Sequence, residues 1–129
     1  MIPESRAGVL LLSTVPEAHF ALLRDLRGRG IRVQVARSGR HAIRKLRQRP
    51  VIILVDLVYG PDLDRASIDS VNSARATSTV LGVHEGDLAR FAEELEHLVM
   101  DGFCRMGDWS ALVELASESF NLVAEAPRS

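Results

Sequence analysis

The residue best placed to do chemistry is Asp56, a carboxylate that directly follows the apolar run at residues 51–55. An earlier apolar run, residues 9–12, leads straight into two hydroxyl residues, Ser13 and Thr14. The other candidate ligands and nucleophiles show no metal-ligand spacing and belong to no nucleotide-binding or hydrolase motif: His19, His41, His84, His97 and Cys104. We expect the four histidines to be surface or packing residues, and the thiol to be inert in an apolar strand.

Five short apolar runs, separated by helical patterns, must position Asp56. The runs lie at residues 9–12, 31–35, 51–55, 79–83 and 102–106, and the continuous ones are typical of strands buried on both faces. Strands that alternate with helices predict an α/β fold with a parallel sheet and helices on both faces. Sites in such sheets form at the carboxyl ends of strands, which is where Asp56 lies.

The first helix is predicted from a capping signal and an apolar stripe. Thr14 with Glu17 three residues later is typical of a capping box, and a proline is welcome in the first turn. Helical spacing then predicts these inward positions: Ala18, Ala21, Leu22 and Leu26.

The later helices are predicted in the same way. Ser38 and Gly39 open a second helix that Pro50 stops, and Ile68 with Val71 marks a weak third helix. Apolar stripes over residues 88–98 and 109–123 predict a fourth and a last helix.

Residues 30–57, GIRVQVARSGRHAIRKLRQRPVIILVDL, resemble the second strand, second helix and third strand of response-regulator receiver domains. Seven residues fall where a receiver would place them: Gly30, Ala36, Gly39, Ala42, Leu46, Pro50 and Asp56. The resemblance extends over about residues 8–121. It implies a flavodoxin-like (CheY-like) doubly wound sheet with strand order 2-1-3-4-5 and five helices.

The resemblance assigns Asp56 to the phosphoacceptor position of the family, but the surrounding pocket departs from the family pattern. The acidic pair that helps to hold magnesium is replaced by Ser13 and Thr14, and the Ser/Thr at the end of strand four by Val83. The lysine after strand five falls on Met106, or on Arg105 if the register slips by one. The chain therefore resembles a degenerate, or pseudo-, receiver.

These departures favour a protein that signals without a phosphoryl switch. Asp56 would be a vestigial phosphoacceptor, satisfied by a hydroxyl of Ser13 or Thr14 or by a cation such as Arg105. The domain would then be a protein–protein interaction or dimerisation module, not an enzyme, with no cofactor. The alternative is a phosphoryl-accepting receiver that uses Asp56 with a non-standard magnesium site. A small-molecule binder that uses the same strand-end crevice is a third hypothesis.

Charge is distributed unevenly along the chain. Residues 1–50 hold eleven Lys/Arg and three Asp/Glu, a net of +8, whereas residues 51–129 hold five and fourteen, a net of −9. The second helix has a basic outer face: Arg40, Arg44, Lys45, Arg47 and Arg49. With a net charge of −1 and no interleaved aromatics, nucleic-acid binding is disfavoured, and we expect a protein partner or a second copy. Phe103 in the last strand is a further candidate contact.

Length and composition limit the class of protein. The 129 residues, 47% of them hydrophobic, suit one domain over residues 1–129, with a core at about 8–121 and a tail or linker at 122–129. One cysteine, no apolar run long enough to span a bilayer and no signal peptide together predict a cytoplasmic protein.

Overall fold

Five parallel strands form one sheet in the computed structural model, which describes residues 8–86 and 96–114. The strands are β1 (Val9–Leu12), β2 (Val33–Ala36), β3 (Ile52–Asp56), β4 (Thr79–His84) and β5 (Gly102–Arg105). Their spatial order is β2-β1-β3-β4-β5, and every neighbouring pair is parallel. The predicted fold class and strand order are therefore confirmed.

Helices lie in the described connections between the strands. A 3-10 helix, Pro16–His19, leads into α1 (Phe20–Gly28), and α2 (Gly39–Leu46) and α3 (Arg65–Ala74) follow β2 and β3. Residues 96–97 and 110–114 are also helical. The rest of the predicted fourth helix, and the last helix beyond residue 114, lie outside the described residues.

The hydrophobic core has two halves, one on each face of the sheet. Alternate strand residues such as Leu11 and Leu54 pack against α1 and the helical residues 110–114. Their neighbours, such as Leu12 and Val55, pack against α2 and α3. A strand buried on both faces has no polar positions to alternate with, which is why β1 and β3 read as continuous apolar runs. Asp56 comes two residues after Leu54, so its side chain lies on the α1 face.

The cap predicted for the first helix is wrong, while the cap predicted for the second is confirmed. The residue before the 3-10 helix is Val15, which makes no side-chain capping bond, and the Thr14 hydroxyl donates to the Tyr59 carbonyl instead. In α2 the Ser38 hydroxyl accepts from the His41 amide, as an N-cap should. That helix ends at Leu46, before Pro50.

No helix within the described residues has both the length and the apolar character that crossing a bilayer would require.

Candidate functional site at the carboxyl end of the sheet

Two neighbouring strands bring Ser13 and Asp56 together. In the parallel register of β1 and β3, Leu12 lies opposite Val55, so the next residues, Ser13 and Asp56, leave the sheet side by side. The Ser13 hydroxyl donates to Oδ2 of Asp56 over 2.9 Å. Both residues are buried, at 0% and 1% exposure, which confirms Ser13 as one of the predicted partners of the carboxylate.

His19 is the second partner of the carboxylate. The 3-10 helix that follows β1 places Nε2 of His19 2.6 Å from Oδ2 of Asp56, and the histidine is 0% exposed. An ionised carboxylate can only accept hydrogen bonds, so Nε2 is the nitrogen that carries the proton. The imidazole therefore lies directly against the carboxylate.

The other carboxylate oxygen is held by the loop after β3. Oδ1 of Asp56 accepts from the amides of Val58 and Tyr59, each over 2.9 Å. Burial by itself raises the pKa of the Asp56 carboxyl, but hydrogen bonds from His19, the Tyr59 amide and Ser13 outweigh it. The pKa of Asp56 consequently lies below its usual value, and the carboxylate stays ionised at neutral pH.

Thr14 completes a closed ring of hydrogen bonds without touching Asp56. Its hydroxyl and its amide both donate to the Tyr59 carbonyl, each over 2.7 Å. The ring thus runs from Ser13 to Asp56, on to Tyr59, and back through Thr14 to its neighbour Ser13. Of the two hydroxyls predicted as alternative partners of the carboxylate, Ser13 is therefore the one that bonds to it, and the Thr14 hydroxyl donates to the loop backbone instead.

Trp109 supports His19 from the far side. The two rings meet edge-to-face, with centroids 5.5 Å apart and planes at 76°. This arrangement is the one that aromatic pairs favour. Nδ1 of His19 is buried and has no hydrogen-bond partner among the described residues, where the imidazole contacts Asp56 through Nε2 and packs on Trp109.

The pocket positions on β4 and β5 contribute no polar group to Asp56. Val83 pairs with Asp56 in the strand register and is fully buried in the apolar core, and Met106 packs partly buried against the same core. Arg105 is exposed and its guanidinium lies beside Gly86. The prediction that Arg105 could satisfy the carboxylate is therefore wrong, since Ser13, His19 and two loop amides do so.

Solved structures share this architecture, although no family model and no curated protein matches the sequence. The receiver domain of sensor histidine kinase PA1611 from Pseudomonas aeruginosa PAO1 aligns with a TM-score of 0.71 at 20% identity, covering 90% of this chain and 98% of that one. The receiver domain of a Syntrophus aciditrophicus histidine kinase aligns at 0.67 and 21%, covering 92% and 93%. That of NtrX from Brucella abortus aligns at 0.66 and 15%, covering 88% and 98%.

This chain has the receiver fold. The identities are 21% or lower in these three alignments, so the likeness shows the fold and leaves the activity to the residues of the site.

The residues around Asp56 do not suit the magnesium ion that the PA1611 domain coordinates in its active-site cleft. Magnesium takes near-octahedral oxygen ligands, usually including one or two carboxylates. In this receiver fold both oxygens of Asp56 already accept protein hydrogen bonds, and a protonated ring nitrogen faces one of them. Within residues 8–86 and 96–114, no three His, Cys, Asp or Glu side chains are placed to hold a metal ion.

His19 is the residue of this candidate site that the sequence analysis missed. Ala18 and Ala21, predicted to face inward, are exposed, while the buried positions are His19, Leu22, Leu23 and Leu26. That set has the spacing i, i+3, i+4, i+7 of one helix face. Including His19 in the periodicity, rather than apolar residues alone, would have placed it on the buried face and close to the end of β1.

Cys104 and a cavity complete the surroundings of the site. Burial, and to a smaller extent Asp108, raises the pKa of the Cys104 thiol, which makes it a weak nucleophile at neutral pH. A cavity of about 400 Å³ lies between the loop after β3 and α3, and Asp56 lines it together with residues such as Leu57, Pro61 and Ile68. Both carboxylate oxygens of Asp56 nevertheless bond to groups of the chain itself.

The predicted interaction residues lie on two separate surfaces of the receiver fold. Arg40, Arg44 and Arg47 are exposed on α2, with Lys45 half-buried beside them. Phe103 is 45% exposed on the edge strand β5, where its ring meets His84 edge-to-face.

Proposed function

We propose that this chain is a receiver domain of two-component signalling that acts as a phosphorylation-independent interaction module. The observation that carries the proposal is the state of Asp56: it is buried, and both carboxylate oxygens are already bonded to groups of the chain itself. The domain would have no enzymatic activity of its own and would work in the cytoplasm.

The missing charge neutralisation supports this proposal. Phosphoryl transfer depends on positioning and on cations that offset the charge of the transferred group. The family positions that would bind magnesium and the phosphoryl oxygens carry Ser13, Thr14, Val83 and Met106, or Arg105 in the register shifted by one. A hydroxyl pair, an apolar side chain and a thioether offer no cation and no second carboxylate, and the Arg105 guanidinium lies beside Gly86 rather than Asp56.

Steric access argues in the same direction. An attacking carboxylate oxygen needs room for a phosphoryl donor in line with it. Asp56 lines the cavity beside α3, but its Oδ2 already bonds to His19 and its Oδ1 to the loop amides. Exposing Oδ2 would require the imidazole to leave its place between Asp56 and Trp109. The donor would also have to displace a protein hydrogen bond before reaction.

Output would then be set by partner binding or dimerisation. Phe103 on β5 and Val99 just before that strand are large apolar side chains, 45% and 47% exposed. Apolar side chains exposed on an edge strand can be covered by a partner protein, and this region of β5 is the first surface to consider.

The test is exposure to magnesium together with acetyl phosphate, and separately with beryllofluoride. We expect no phosphoryl adduct in the intact mass and no shift in the amide NMR signals of residues 56–59. Asp56→Asn, treated identically, is the control for non-specific adducts. An adduct on the wild-type chain that Asp56→Asn lacks would overturn the proposal and establish the alternative, a phosphoryl-accepting receiver with a non-standard magnesium site.

A further inference from the structure

The outer face of α2 carries a stripe of cations without partners. Arg40, Arg44 and Arg47 are exposed at positions i, i+4 and i+7, which places them on one side of the helix. The ion pairs of the described residues lie elsewhere, for example between Arg37 and Glu17, and leave this stripe unpaired. Arg44 and Arg47 lie at the carboxyl end of α2, where the helix dipole favours cations, but the repulsion between like charges at i, i+4 offsets part of that gain.

The opposite edge of the sheet carries unpaired acids. Glu85 follows β4, Glu96 precedes β5, Asp108 follows β5 and Glu114 belongs to the helical residues 110–114; all four are exposed. None of them forms an ion pair within the described residues, and the exposed Arg105 on β5 is the one described cation among them. We call these four residues the acidic edge.

The strand order prevents the two surfaces from neutralising each other within one chain. α2 packs against β2 and β1, while the acidic edge surrounds β4 and β5 at the other end of the sheet. Four strand spacings separate the edge strands β2 and β5, about 19 Å. The Debye length at physiological salt is about 8 Å, so attraction across one molecule is largely screened.

We infer that the α2 stripe of one copy of this chain docks on the acidic edge of a second copy, head-to-tail. This inference rests on the proposed role as an interaction module and names its partner. The two surfaces differ, so the contact is heterologous: it leaves one stripe and one acidic edge free in every pair, and it generates chains or rings rather than a closed two-fold dimer.

A shallow groove beside the stripe would supply short-range contacts. It has a volume of about 480 Å³, lies between α2 and α3, and is lined partly by Ile43, Leu46 and Ala74. Its acid, Asp69, already pairs with Arg65 at i, i+4 and so would not repel an acidic edge strongly. Charge would steer the encounter, and these apolar side chains would add buried area.

Sedimentation of charge-reversal variants tests the inference. We expect the wild-type chain to self-associate at about 20 mM NaCl and to be monomeric at about 500 mM NaCl, where the Debye length is only a few ångström. Arg44→Glu with Arg47→Glu on the stripe, and Glu85→Arg with Glu96→Arg on the acidic edge, should each weaken low-salt association at least about tenfold.

Two further variants distinguish the effect of a specific docking surface on self-association from the effect of net charge. Arg24→Glu with Arg27→Glu on the exposed side of α1 changes the net charge as much as the stripe variant does, and should associate like wild type. The chain with all four stripe and edge reversals keeps the wild-type net charge of −1 and should associate again.

A wild-type chain that is monomeric at low salt overturns this inference. So does association that survives both double reversals, because it must then use another surface, such as the one around Phe103. Neither result produces a phosphoryl adduct on Asp56, so failure here remains distinct from failure of the proposed function.

Discussion

Nε2 of His19 lies 2.6 Å from Oδ2 of Asp56, and both side chains are fully buried. The carboxylate at the end of β3 therefore has a hydrogen-bond partner within the chain, on the 3-10 helix that follows β1. This one contact links the first loop, the third strand and, through Trp109, the segment after β5.

Removing His19 should destabilise the protein strongly. His19→Ala leaves a buried carboxylate without one of its hydrogen-bond donors, and losing such a bond to an ionised group costs about 1.5–3 kcal/mol. We expect that loss in the free energy of unfolding measured in urea, together with a shift in fluorescence emission, because Trp109 is the single tryptophan of the chain.

His41→Ala is the matched control, since His41 is partly buried on α2, which packs on the other face of the sheet. It should cost less than about 1 kcal/mol and leave the emission of Trp109 unchanged. Equal losses in the two variants would show that the contact of His19 with Asp56 contributes no specific stability.

Stability should fall in acid because of Asp56. Its pKa is lowered in the folded protein, so the stability that it contributes is present above its unfolded-state pKa and is lost as pH falls through the folded value. Asp56→Asn should cost about 1–3 kcal/mol at pH 7. We expect the gap between wild type and Asp56→Asn to narrow from about pH 5 downward. Asp25→Asn on the exposed side of α1 is the control, and a gap that widened in acid would contradict the lowered pKa.

Two glycine-to-alanine substitutions should change the free energy of unfolding in opposite directions. A Cβ on Gly60 would collide with the backbone carbonyl of Asp56, whereas a Cβ on Gly28 at the end of α1 would meet nothing within 4 Å. Gly60→Ala should therefore displace the loop that holds Asp56 and cost about 1–3 kcal/mol. Gly28→Ala should be neutral or stabilising by up to about 1 kcal/mol, because alanine favours helix. Thermal unfolding of both variants checks this, and a stabilising Gly60→Ala would show that the loop yields without cost.

Hydrogen exchange should report on the loop after β3. The amides of Val58 and Tyr59 lie outside regular structure, yet both donate to Oδ1 of Asp56 and should exchange slowly. In Asp56→Ala they lose that acceptor and should exchange at least about tenfold faster. The amide of Leu57 donates to the Val83 carbonyl and serves as an internal control, since it keeps its acceptor. Unchanged exchange at Val58 and Tyr59 would mean that other contacts hold the loop.

The sheet and half of the site were predictable from the sequence. Short continuous runs of Val, Ile and Leu have no polar face, which indicates strands that are covered on both sides. Because Ser13 and Asp56 follow two such strands, both were expected at the carboxyl end of the sheet. Local patterns failed where long-range contacts decide. Thr14 has the spacing of a helix cap, but the Tyr59 carbonyl, 45 residues away, takes its hydroxyl. His19 is polar, so an apolar stripe omitted it, and only the fold reveals the carboxylate that makes its burial favourable.

The ring of hydrogen bonds that joins Ser13, Asp56, Tyr59 and Thr14 bears on whether this end of the sheet can exist in a second conformation. A molecular switch needs two states that lie within a few kcal/mol of each other. Opening the ring would leave a buried carboxylate without hydrogen-bond donors and would release the loops after β1 and β3 together. The open state would therefore have a small population. A ligand could favour it only with a correspondingly large preference for that state over the closed one. A binding partner would therefore meet the same conformation of this surface each time. A signal would be transmitted by binding of that partner rather than by a conformational change at this end of the sheet.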